Sequence, residues 1–361
     1  MTPVLFVTNY APPHRVGAFA ALAERLDVEF ALFGGRVRHG GVGHEPADLP
    51  FPARHVTPGE AGRLAASGRY GAVIAGTVGR TALPAAYLGA RRARVPFVLW
   101  ATLWAQPAGP AGLTGYPLVR WVYGHADAVA TYGPHVSAYV RARGARRVRD
   151  APQAVDRAFW TAPAEAPDRR AGFQALFVGR LEREKGVGTL LRAWRMTGPE
   201  ASDTALVLVG RGPQRARAAA PGTLYEGDRP PTEVRNFYAG SDVLVVPSIP
   251  TRTFREPWGM VVNEAMHQGL PVIATDAVGA AAGGLVRDGR NGLVVPAGDE
   301  AALAGALVRL RDDPALRARL GAAAREDVAP YTHAAWAEGM AGALRDAGHD
   351  AAAGGSAEES H

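Results

Sequence analysis

The chain has 361 residues, 47% hydrophobic and 20% charged, a balance that is typical of globular proteins and excludes extensive disorder. Its length predicts two domains of roughly 150–200 residues each. Cysteine is absent, which excludes disulfides, thiolate metal sites and a cysteine nucleophile. No stretch has the pattern of a signal peptide or the roughly 20 apolar residues of a membrane span. We therefore expect a cytoplasmic protein without a membrane-spanning helix.

The net charge of +6 is unevenly distributed along the chain. Residues 1–164 carry 18 Arg against 9 acidic residues, whereas the remainder carries 22 basic and 25 acidic residues. A basic first half indicates a partner with phosphate groups or peripheral contact with an anionic membrane; solvated Arg on helix faces is the alternative. Nucleic acid is not expected as a partner, because the Arg residues are scattered and not interleaved with aromatic ones.

Short apolar strands alternate with helical patterns along the whole chain. In the first half, strands are predicted at residues 4–7, 28–33, 72–75, 97–100 and 128–131, and helices at about 17–25, 80–93, 116–125 and 135–143. The alternation restarts with strands at residues 175–178, 206–209, 224–226, 243–246, 272–274 and 293–295. Such alternation predicts an α/β chain with two doubly wound, Rossmann-like domains. Their ligands should bind at the carboxyl ends of the strands, in a cleft between the domains.

We place the first domain at residues 1–164 and the second at residues 165–325, with a Pro- and Ala-rich linker at residues 161–172. A final helix is predicted at about residues 332–344, after Pro330. It lies in a closing segment, residues 326–347, that we expect to pack on the first domain. Residues 348–361 are small and polar, and we predict that this tail is disordered.

Glu256 and Glu264 are separated by seven residues, in a segment where Pro257 and Gly259 indicate that a loop turns into a helix. A helix that begins near Gly259 would direct backbone N–H groups toward a ligand and form an anion site. Glu256 then precedes that site, and Glu264 lies about 7–8 Å further along the helix. This spacing suits a ligand with a phosphate, a sugar and a ribose. The alternative is a surface helix with two unrelated glutamates.

Arg180 and Lys185 follow the predicted strand at residues 175–178, where two cations can clamp a diphosphate. Lys185 is the only lysine of the chain, which indicates a role that needs a compact ammonium group on a flexible stem. A solvated loop is the alternative, because acidic residues share this segment. Gly210 and Gly212 mark a second strand end that suits close approach by a base or a phosphate.

Five motifs follow one another between about residues 174 and 300: Val-Gly-Arg-Leu-x-x-x-Lys-Gly, Val-Gly-x-Gly-Pro, Ser-Asp-Val-x-Val-x-Pro-Ser, Glu-x7-Glu and Asp-Gly-Arg-Asn-Gly-Leu-Val-Val-Pro. This ordered set resembles family 4 glycosyltransferases of the GT-B fold. The resemblance implies transfer of a sugar from a nucleotide-diphosphate sugar with retention of anomeric configuration. It implies a nucleotide sugar as co-substrate and no separate cofactor.

The resemblance also implies roles for the residues of these motifs. Arg180 and Lys185 would neutralise the diphosphate, and Glu256 would hold the hydroxyls of the donor sugar. Glu264 would bind the ribose hydroxyls. The remaining donor-binding candidates are backbone positions and glycines: Gly259, Met260, Val261, Gly210 and Gly212.

The first domain departs from the family pattern in two places. The family often has a Gly-Gly turn after the first strand and a His after the strand corresponding to residues 97–100. This chain has a single glycine, Gly17, and the segment Trp100-Ala-Thr-Leu-Trp104. No catalytic histidine can therefore be assigned by resemblance. His14, Arg15 and Gly17 are the candidates for the acceptor side. A cluster of four aromatic residues forms either an apolar acceptor wall or part of the core: Trp100, Trp104, Trp121 and Tyr123.

Asp-x-Asp does not occur in the sequence, so we expect no metal, and charges of the protein itself should stabilise the leaving diphosphate. Two alternatives to an enzyme of this kind stay open. One is a nonenzymatic, nucleotide-sugar-binding paralogue with the GT-B fold. The other, a nicotinamide-dependent oxidoreductase, requires a Gly-x-Gly-x-x-Gly fingerprint after the first strand, which the sequence lacks. The nucleotide, the sugar and the acceptor, whether a glycan, a lipid-linked or a small molecule, are not indicated.

Overall fold

The chain divides into two compact units, a first unit of Met1–Val155 and Thr332–His361 and a second unit of Asp156–Tyr331. The computed structural model describes residues 2–34, 48–77, 79, 81–106, 109–167, 169–201, 203–215 and 220–349. Of the tail predicted at residues 348–361, only Gly348 and His349 fall inside these ranges.

The first unit is built on a sheet of seven parallel strands. Its strands are β1 (Val4–Thr8), β2 (Val28–Leu32), β3 (Ala53–His55), β4 (Ala72–Gly76), β5 (Phe97–Ala101), β6 (Ala128–Thr131) and β7 (Val148–Asp150). They lie in the order β3-β2-β1-β4-β5-β6-β7. The helices between them are α1 (Pro13–Ala23), α2 (Pro58–Ala65), α3 (Ala82–Ala93), α4 (Pro110–His125) and α5 (Pro134–Arg141). β1, β4, β5 and β6 are buried along their whole length, as expected of central strands covered on both faces.

The second unit is built on a sheet of six parallel strands. Its strands are β8 (Phe173–Val178), β9 (Thr204–Val209), β10 (Thr223–Gly227), β11 (Val243–Val246), β12 (Val272–Thr275) and β13 (Gly292–Val295). They lie in the order β10-β9-β8-β11-β12-β13. The helices are α6 (Arg157–Thr161), α7 (Val187–Met196), α8 (Pro231–Ala239), α9 (Met260–His267), α10 (Gly279–Ala282), α11 (Glu300–Asp312) and α12 (Pro314–Val328).

The predicted α/β chain with two Rossmann-like sheets is confirmed, and all eleven predicted strands are present. β3 and β7 were not predicted; they lie at the two edges of the first sheet and have three residues each. Neither is a buried apolar run, so neither has the pattern of a central strand. Helix α1 begins at Pro13, four residues before the predicted start, because proline is tolerated in the first turn of a helix.

Helix α13 (His333–Asp346) belongs to the first unit, where it packs on α1, β6 and β7. At Gly339 the helix runs so close to β7 that a Cβ atom would lie 2.5 Å from the carbonyl oxygen of Asp150. Arg149 of β7 donates two hydrogen bonds to Asp346, at 2.7 and 2.9 Å. The closing helix is thus held by both backbone proximity and a bidentate ion pair.

The units divide after residues 155 and 331, whereas the sequence analysis placed the boundaries after residues 164 and 325. Helix α6 packs on α9, and Gln268 donates a hydrogen bond to the carbonyl of Ala162 at 3.2 Å, which ties this segment to the second unit. Helix α12 continues to Val328 without interruption. None of the helices that the structure describes combines the length and apolar character of a membrane-spanning segment.

Candidate functional site

Loops at the carboxyl ends of four strands of the second unit lie against one another. The backbone N–H of Leu181, after β8, donates to the carbonyl of Arg211, after β9, at 2.8 Å. The N–H of Gly279, after β12, donates to the carbonyl of Glu256, after β11, at 3.1 Å. Because all strands of the sheet are parallel, these loops share one edge, which is where such sheets bind ligands.

Two glycines allow the backbones of these loops to touch. Gly186 has φ +73°, and a Cβ there would lie 1.8 Å from the carbonyl oxygen of Pro247. Gly210 has φ +132°, and a Cβ there would lie 2.0 Å from the carbonyl oxygen of Gly179. Any other residue at either position would push two loops apart. Gly212, also a predicted donor-binding residue, lies two residues further along the same loop.

Lys185 and Glu256 form an ion pair between the loops after β8 and β11. The ammonium group contacts Oε2 of Glu256, and the same oxygen accepts a hydrogen bond from Oγ of Ser248 at 3.2 Å. The Lys185 and Glu256 side chains are 20% and 8% exposed. The Lys185 Nζ also lies 5.3 Å from the ring centroid of Phe254. Because both side chains are largely buried, solvent screens the attraction between the two charges less than it would at the surface. Lys185 and Glu256 therefore form a close, partly shielded ion pair.

Arg180 lies on the same loop as Lys185 and forms ion pairs within that loop. Its guanidinium contacts Glu182, and its Nη2 lies 3.9 Å from the carboxylate of Glu184. Burial and the hydrogen bond with Glu184 raise the pKa of Glu182. The Arg180 side chain is 36% exposed. An anionic ligand can therefore reach this cation, in competition with the acidic residues of its own loop.

Helix α9 begins at Met260, directly after Gly259, as the sequence analysis predicted. Gly259 has φ +90°, no side chain caps the helix, and the first turn contains no acidic residue. The N–H groups of a first turn have no partners within the helix, and the helix dipole makes this end positive. The positive end lies between Glu256, which precedes the helix, and Glu264, which is inside it.

Glu264 is joined to Tyr238 of helix α8. The phenol donates a hydrogen bond to Oε2 of Glu264 at 2.7 Å, and the ring of Trp160 stands edge-on to Tyr238 at 5.8 Å. Burial raises the pKa of Glu264 to about 7, although the phenol hydrogen bond acts in the opposite direction. Burial and the neighbouring carboxyl group raise the pKa of Tyr238. Glu264 is therefore poised to change its protonation state near neutral pH.

Three residues at this site were not predicted from the sequence: Ser248, Phe254 and Tyr238. Ser248 follows a buried strand directly, and a hydroxyl at a strand end was an available signal. Its carbonyl accepts a hydrogen bond from Oγ1 of Thr275 at 2.5 Å, which holds the loop after β11 to β12. Tyr238 lies 26 residues before Glu264 on another helix, and no sequence spacing points to their contact.

The three acceptor-side candidates lie together on helix α1 of the first unit, after the carboxyl end of β1. His14 is exposed, whereas Arg15 is only 7% exposed and donates a hydrogen bond to the phenol oxygen of Tyr132 at 2.6 Å. Gly17 faces helix α13, where a Cβ would lie 2.4 Å from the imidazole ring of His333. The glycine at this position therefore serves the packing of two helices.

Trp100 belongs to the aromatic core of the first unit. It is 5% exposed, and its ring lies 5.7 Å from those of Phe6 and Trp336. Tyr123 is also buried, whereas Trp121 is 44% exposed. Of the two interpretations offered for these aromatic residues, core packing is therefore the one that holds for Trp100 and Tyr123.

Positive charge at the site of the second unit comes from Arg180, Lys185 and the start of helix α9. Within the described ranges, no three His, Asp or Glu side chains are grouped so that they could hold a metal ion. The arrangement can bind an anion at the helix start and place a carboxylate on either side of it.

Residues 172–313 match the family Glycosyl transferases group 1. This segment holds Arg180, Lys185, Glu256 and Glu264, and it ends in helix α11. The family match thus coincides with the strand-end loops of the second unit.

Several curated proteins are similar in sequence. The phosphatidyl-myo-inositol mannosyltransferase of Mycobacterium leprae is 38% identical over 177 residues, which cover 47% of this chain and 46% of that protein. The D-inositol 3-phosphate glycosyltransferase of Acidothermus cellulolyticus is 33% identical over 266 residues, which cover 63% of this chain and 56% of that protein. The chain thus spans about half the length of the curated relatives it matches.

Solved structures are similar over nearly the whole chain. HepE of Anabaena in complex with UDP-glucose has a TM-score of 0.74 at 19% identity, covering 96% of this chain and 100% of that chain. Sucrose-phosphate synthase of Thermosynechococcus elongatus has a TM-score of 0.70 at 21% identity, covering 96% and 98%. This likeness extends over both units and confirms the predicted GT-B fold.

Replacing Glu264 with Gln should make stability less dependent on pH. In the unfolded chain this carboxyl loses its proton near its ordinary pKa of 4.5, whereas in the folded chain its pKa is about 7. Its stabilising contribution is therefore complete below pH 4.5 and is lost as the pH rises through 7. Between about pH 5 and 8, the melting temperature of E264Q should rise relative to wild type by several degrees, because the difference between a pKa of 4.5 and one of about 7 corresponds to roughly 3 kcal/mol.

Thermal melts of both proteins in the same buffers measure this difference. E326Q is the control, because the Glu326 side chain is 74% exposed and its removal should leave the pH dependence parallel to wild type. An E264Q protein whose melting temperature differs from wild type by the same amount at pH 5 and pH 8 would contradict the raised pKa.

Proposed function

We propose that this protein is a retaining glycosyltransferase of family 4, which transfers a sugar from a nucleotide-diphosphate donor to an acceptor. The ion pair between Lys185 and Glu256, beside the start of helix α9, carries the proposal. It places a cation for a diphosphate and a carboxylate for sugar hydroxyls at one point. The family match of residues 172–313 supports it, and the complex of Anabaena HepE with UDP-glucose makes a UDP-sugar the first donor to test.

Three positive groups stabilise the charge that develops on the leaving diphosphate: Arg180, Lys185 and the start of helix α9. Lys185 has three N–H donors, so it can keep its contact with Glu256 while it binds a phosphate oxygen. Arg180 exchanges its acidic partners, Glu182 and Glu184, for phosphate. Because these charges are already in place, they need little reorganisation when the bond breaks.

The two glutamates hold different parts of the donor. Glu256 accepts hydrogen bonds from the hydroxyls of the sugar, and Ser248 orients its carboxylate. Glu264 binds the ribose hydroxyls, with Tyr238 orienting it from helix α8. The backbone of Gly259, Met260 and Val261 meets phosphate and sugar, while Gly210 and Gly212 give room for the nucleotide.

The acceptor attacks the anomeric carbon from the face on which the diphosphate leaves, so the configuration is retained. The bond between the anomeric carbon and the phosphate oxygen breaks as the bond to the acceptor oxygen forms, and the acceptor proton passes to the leaving phosphate. The reaction needs no protein nucleophile, metal or separate cofactor. We place it in the cytoplasm, a reducing compartment that suits a chain without cysteine.

Replacing Lys185 with Met should lower kcat by a factor of roughly 10² or more, comparable to removing one preorganised donor to a transition-state oxyanion. Release of UDP from UDP-sugars, with and without an acceptor extract, measures turnover in buffer that contains EDTA. R183M is the matched control, because Arg183 is an exposed cation two residues away in the same turn.

A folded K185M protein with wild-type kcat would contradict the role of the ion pair. Wild-type activity that disappears in EDTA and returns with Mg²⁺ would contradict metal independence. A wild-type protein that is stabilised by UDP-sugars but neither transfers nor hydrolyses them would indicate the nonenzymatic paralogue instead.

Replacing the two glutamates with Gln should give different kinetic defects. Glu256 contacts the reacting sugar, so E256Q should lower kcat more than it raises KM. Glu264 contacts the ribose, which is bound alike in the ground and transition states, so E264Q should mainly raise the donor KM. Steady-state kinetics at varied donor concentration separate the two effects. A severe loss of kcat in E264Q beside a mild defect in E256Q would reverse these assignments.

We further propose that the first unit contacts an anionic membrane through a patch on helices α3 and α4. Leu88, Leu118 and Trp121 are large apolar residues that are 64%, 39% and 44% exposed. Trp121 stands edge-on to Tyr87 of α3 at 5.0 Å, which places the two helices side by side. Arg92 of α3 and Arg120 of α4 are exposed on the same two helices. Exposed apolar and basic residues together suit the surface of an anionic bilayer.

Changing Leu88 and Trp121 together to Ser should reduce sedimentation with phosphatidylglycerol vesicles several-fold, because two apolar side chains can then no longer insert into the bilayer. M196S is the control: Met196 is a 58% exposed apolar residue of the second unit and should not matter. If wild type and the double variant sediment equally with the vesicles, this patch is not the membrane contact.

A further inference from the structure

Arg15 is a buried cation without an acidic partner among the described residues. It is 7% exposed, and no Asp or Glu of the described ranges lies within 4.0 Å of its guanidinium. Its Nη2 donates a hydrogen bond to the phenol oxygen of Tyr132 at 2.6 Å. The guanidinium carbon lies 5.1 Å from the ring centroids of both Trp100 and Tyr132. In the part of the chain that the structure describes, these contacts of the guanidinium are all with neutral groups.

Such an arrangement is unfavourable for the protein alone. Removing a charge from water without a counter-ion costs more than cation–π contacts with two rings return. Burial accordingly lowers the pKa of Arg15. Arg317, another largely buried arginine, lies 3.6 Å from the carboxylate of Asp242. Arg15 lacks such a partner, and an anion that arrives from solution would supply it.

The surroundings of Arg15 favour an anionic ligand. Arg15 lies in the first turn of helix α1, an eleven-residue helix with no side-chain cap and no acidic residue in its first turn. The positive end of the helix dipole therefore adds to the charge of the guanidinium. Asp150, at the end of β7, forms no ion pair with Arg15 within 4.0 Å, and it accepts hydrogen bonds from Thr131 and Ser137 at 2.9 and 2.5 Å.

The position of Arg15 in the sheet also suits a ligand. Its aromatic neighbours, Trp100 and Tyr132, lie at the carboxyl ends of β5 and β6, and α1 follows the carboxyl end of β1. Ligands of parallel sheets bind at this edge. Hydroxyl donors lie there as well: Oγ1 of Thr77, after β4, and Oγ1 of Thr102, after β5, are 3.3 Å apart.

We propose that Arg15 and the start of helix α1 form a phosphate subsite in the first unit, and that the acceptor carries this phosphate. That the phosphate belongs to the acceptor rests on the proposed glycosyltransferase function, whereas the phosphate subsite itself does not. The guanidinium binds phosphate through the N–H donors that Tyr132 does not use, and its planar fork matches two phosphate oxygens. The phosphate belongs either to a soluble phosphorylated compound or to a phospholipid head group.

Titration calorimetry of the full chain with glycerol 1-phosphate, and with glycerol as the neutral match, tests the subsite. Wild type should bind the phosphate ester and not glycerol. R15M should bind it at least tenfold more weakly, and R15K should fall between them, since an ammonium group lacks the fork. R63M is the control, because Arg63 is a cation of the same unit with a 75% exposed side chain and should bind like wild type.

The stability of R15M without ligand separates a binding role from a structural one. Removing an uncompensated buried charge should leave the melting temperature of R15M equal to or above that of wild type. A destabilised or unfolded R15M overturns the proposal, since Arg15 would then hold the fold together. The proposal is also overturned if wild type and R15M bind glycerol 1-phosphate equally tightly, or if wild type binds neither this ester nor vesicles that contain phosphatidic acid.

Two further experiments complete the test. Vesicle binding identifies the source of the phosphate, and nucleotide-sugar binding shows whether the proposed function fails independently of the subsite. In the first experiment, wild type and R15M are mixed with phosphatidylcholine vesicles that contain phosphatidic acid. If wild type binds these vesicles and R15M does not, and glycerol 1-phosphate does not bind, the site is assigned to a lipid head group. UDP-glucose should stabilise R15M as much as wild type, because its site lies in the second unit. If no nucleotide sugar of a panel stabilises either protein, the proposed function fails, while the glycerol 1-phosphate titration still decides the subsite.

Discussion

The candidate site depends on the contact between the backbones of the loops after β8 and β11. Gly186 lies so close to Pro247 that a Cβ would stand 1.8 Å from the carbonyl oxygen. That proximity brings Lys185 to Glu256, although 71 positions separate them in the chain. The ion pair in turn sits beside the start of helix α9, whose N-cap is Gly259. A side chain at position 186 would separate the two loops and with them the two charges.

The two predicted cations of the site in the second unit are paired with carboxylates before any ligand arrives. Lys185 is paired with Glu256, and Arg180 with Glu182 and Glu184. A diphosphate therefore exchanges partners with carboxylates that are already present, so neither cation has to be buried alone. This limits the cost of keeping two cations in a partly dry site and lets an anion compete for them. The glutamates that share the loop with Arg180 are thus compatible with a binding role, although they first indicated a solvated loop.

In the first unit, the buried cation Arg15 is not paired with a carboxylate of the described residues. Arg15 is surrounded by Trp100, Tyr132 and the start of an uncapped helix, with no carboxylate of the described residues beside it. The aromatic core that surrounds it also includes Trp336 of helix α13, which returns from the carboxyl-terminal end of the chain. An uncompensated charge next to rigid aromatic rings is a cost to stability that binding of an anion can offset.

The sequence by itself determined the central strands, the two-sheet fold and the start of helix α9, because buried apolar runs, Pro257 and Gly259 act over short distances. It also singled out Lys185, as the only lysine. Only the tertiary structure decided which side chains meet: Lys185 with Glu256, and Tyr238 with Glu264. The two edge strands of the first sheet, the unit boundaries and the burial of Arg15 were decided there too. Such contacts join residues far apart in the chain, and their energies depend on burial and distance, which no local pattern contains.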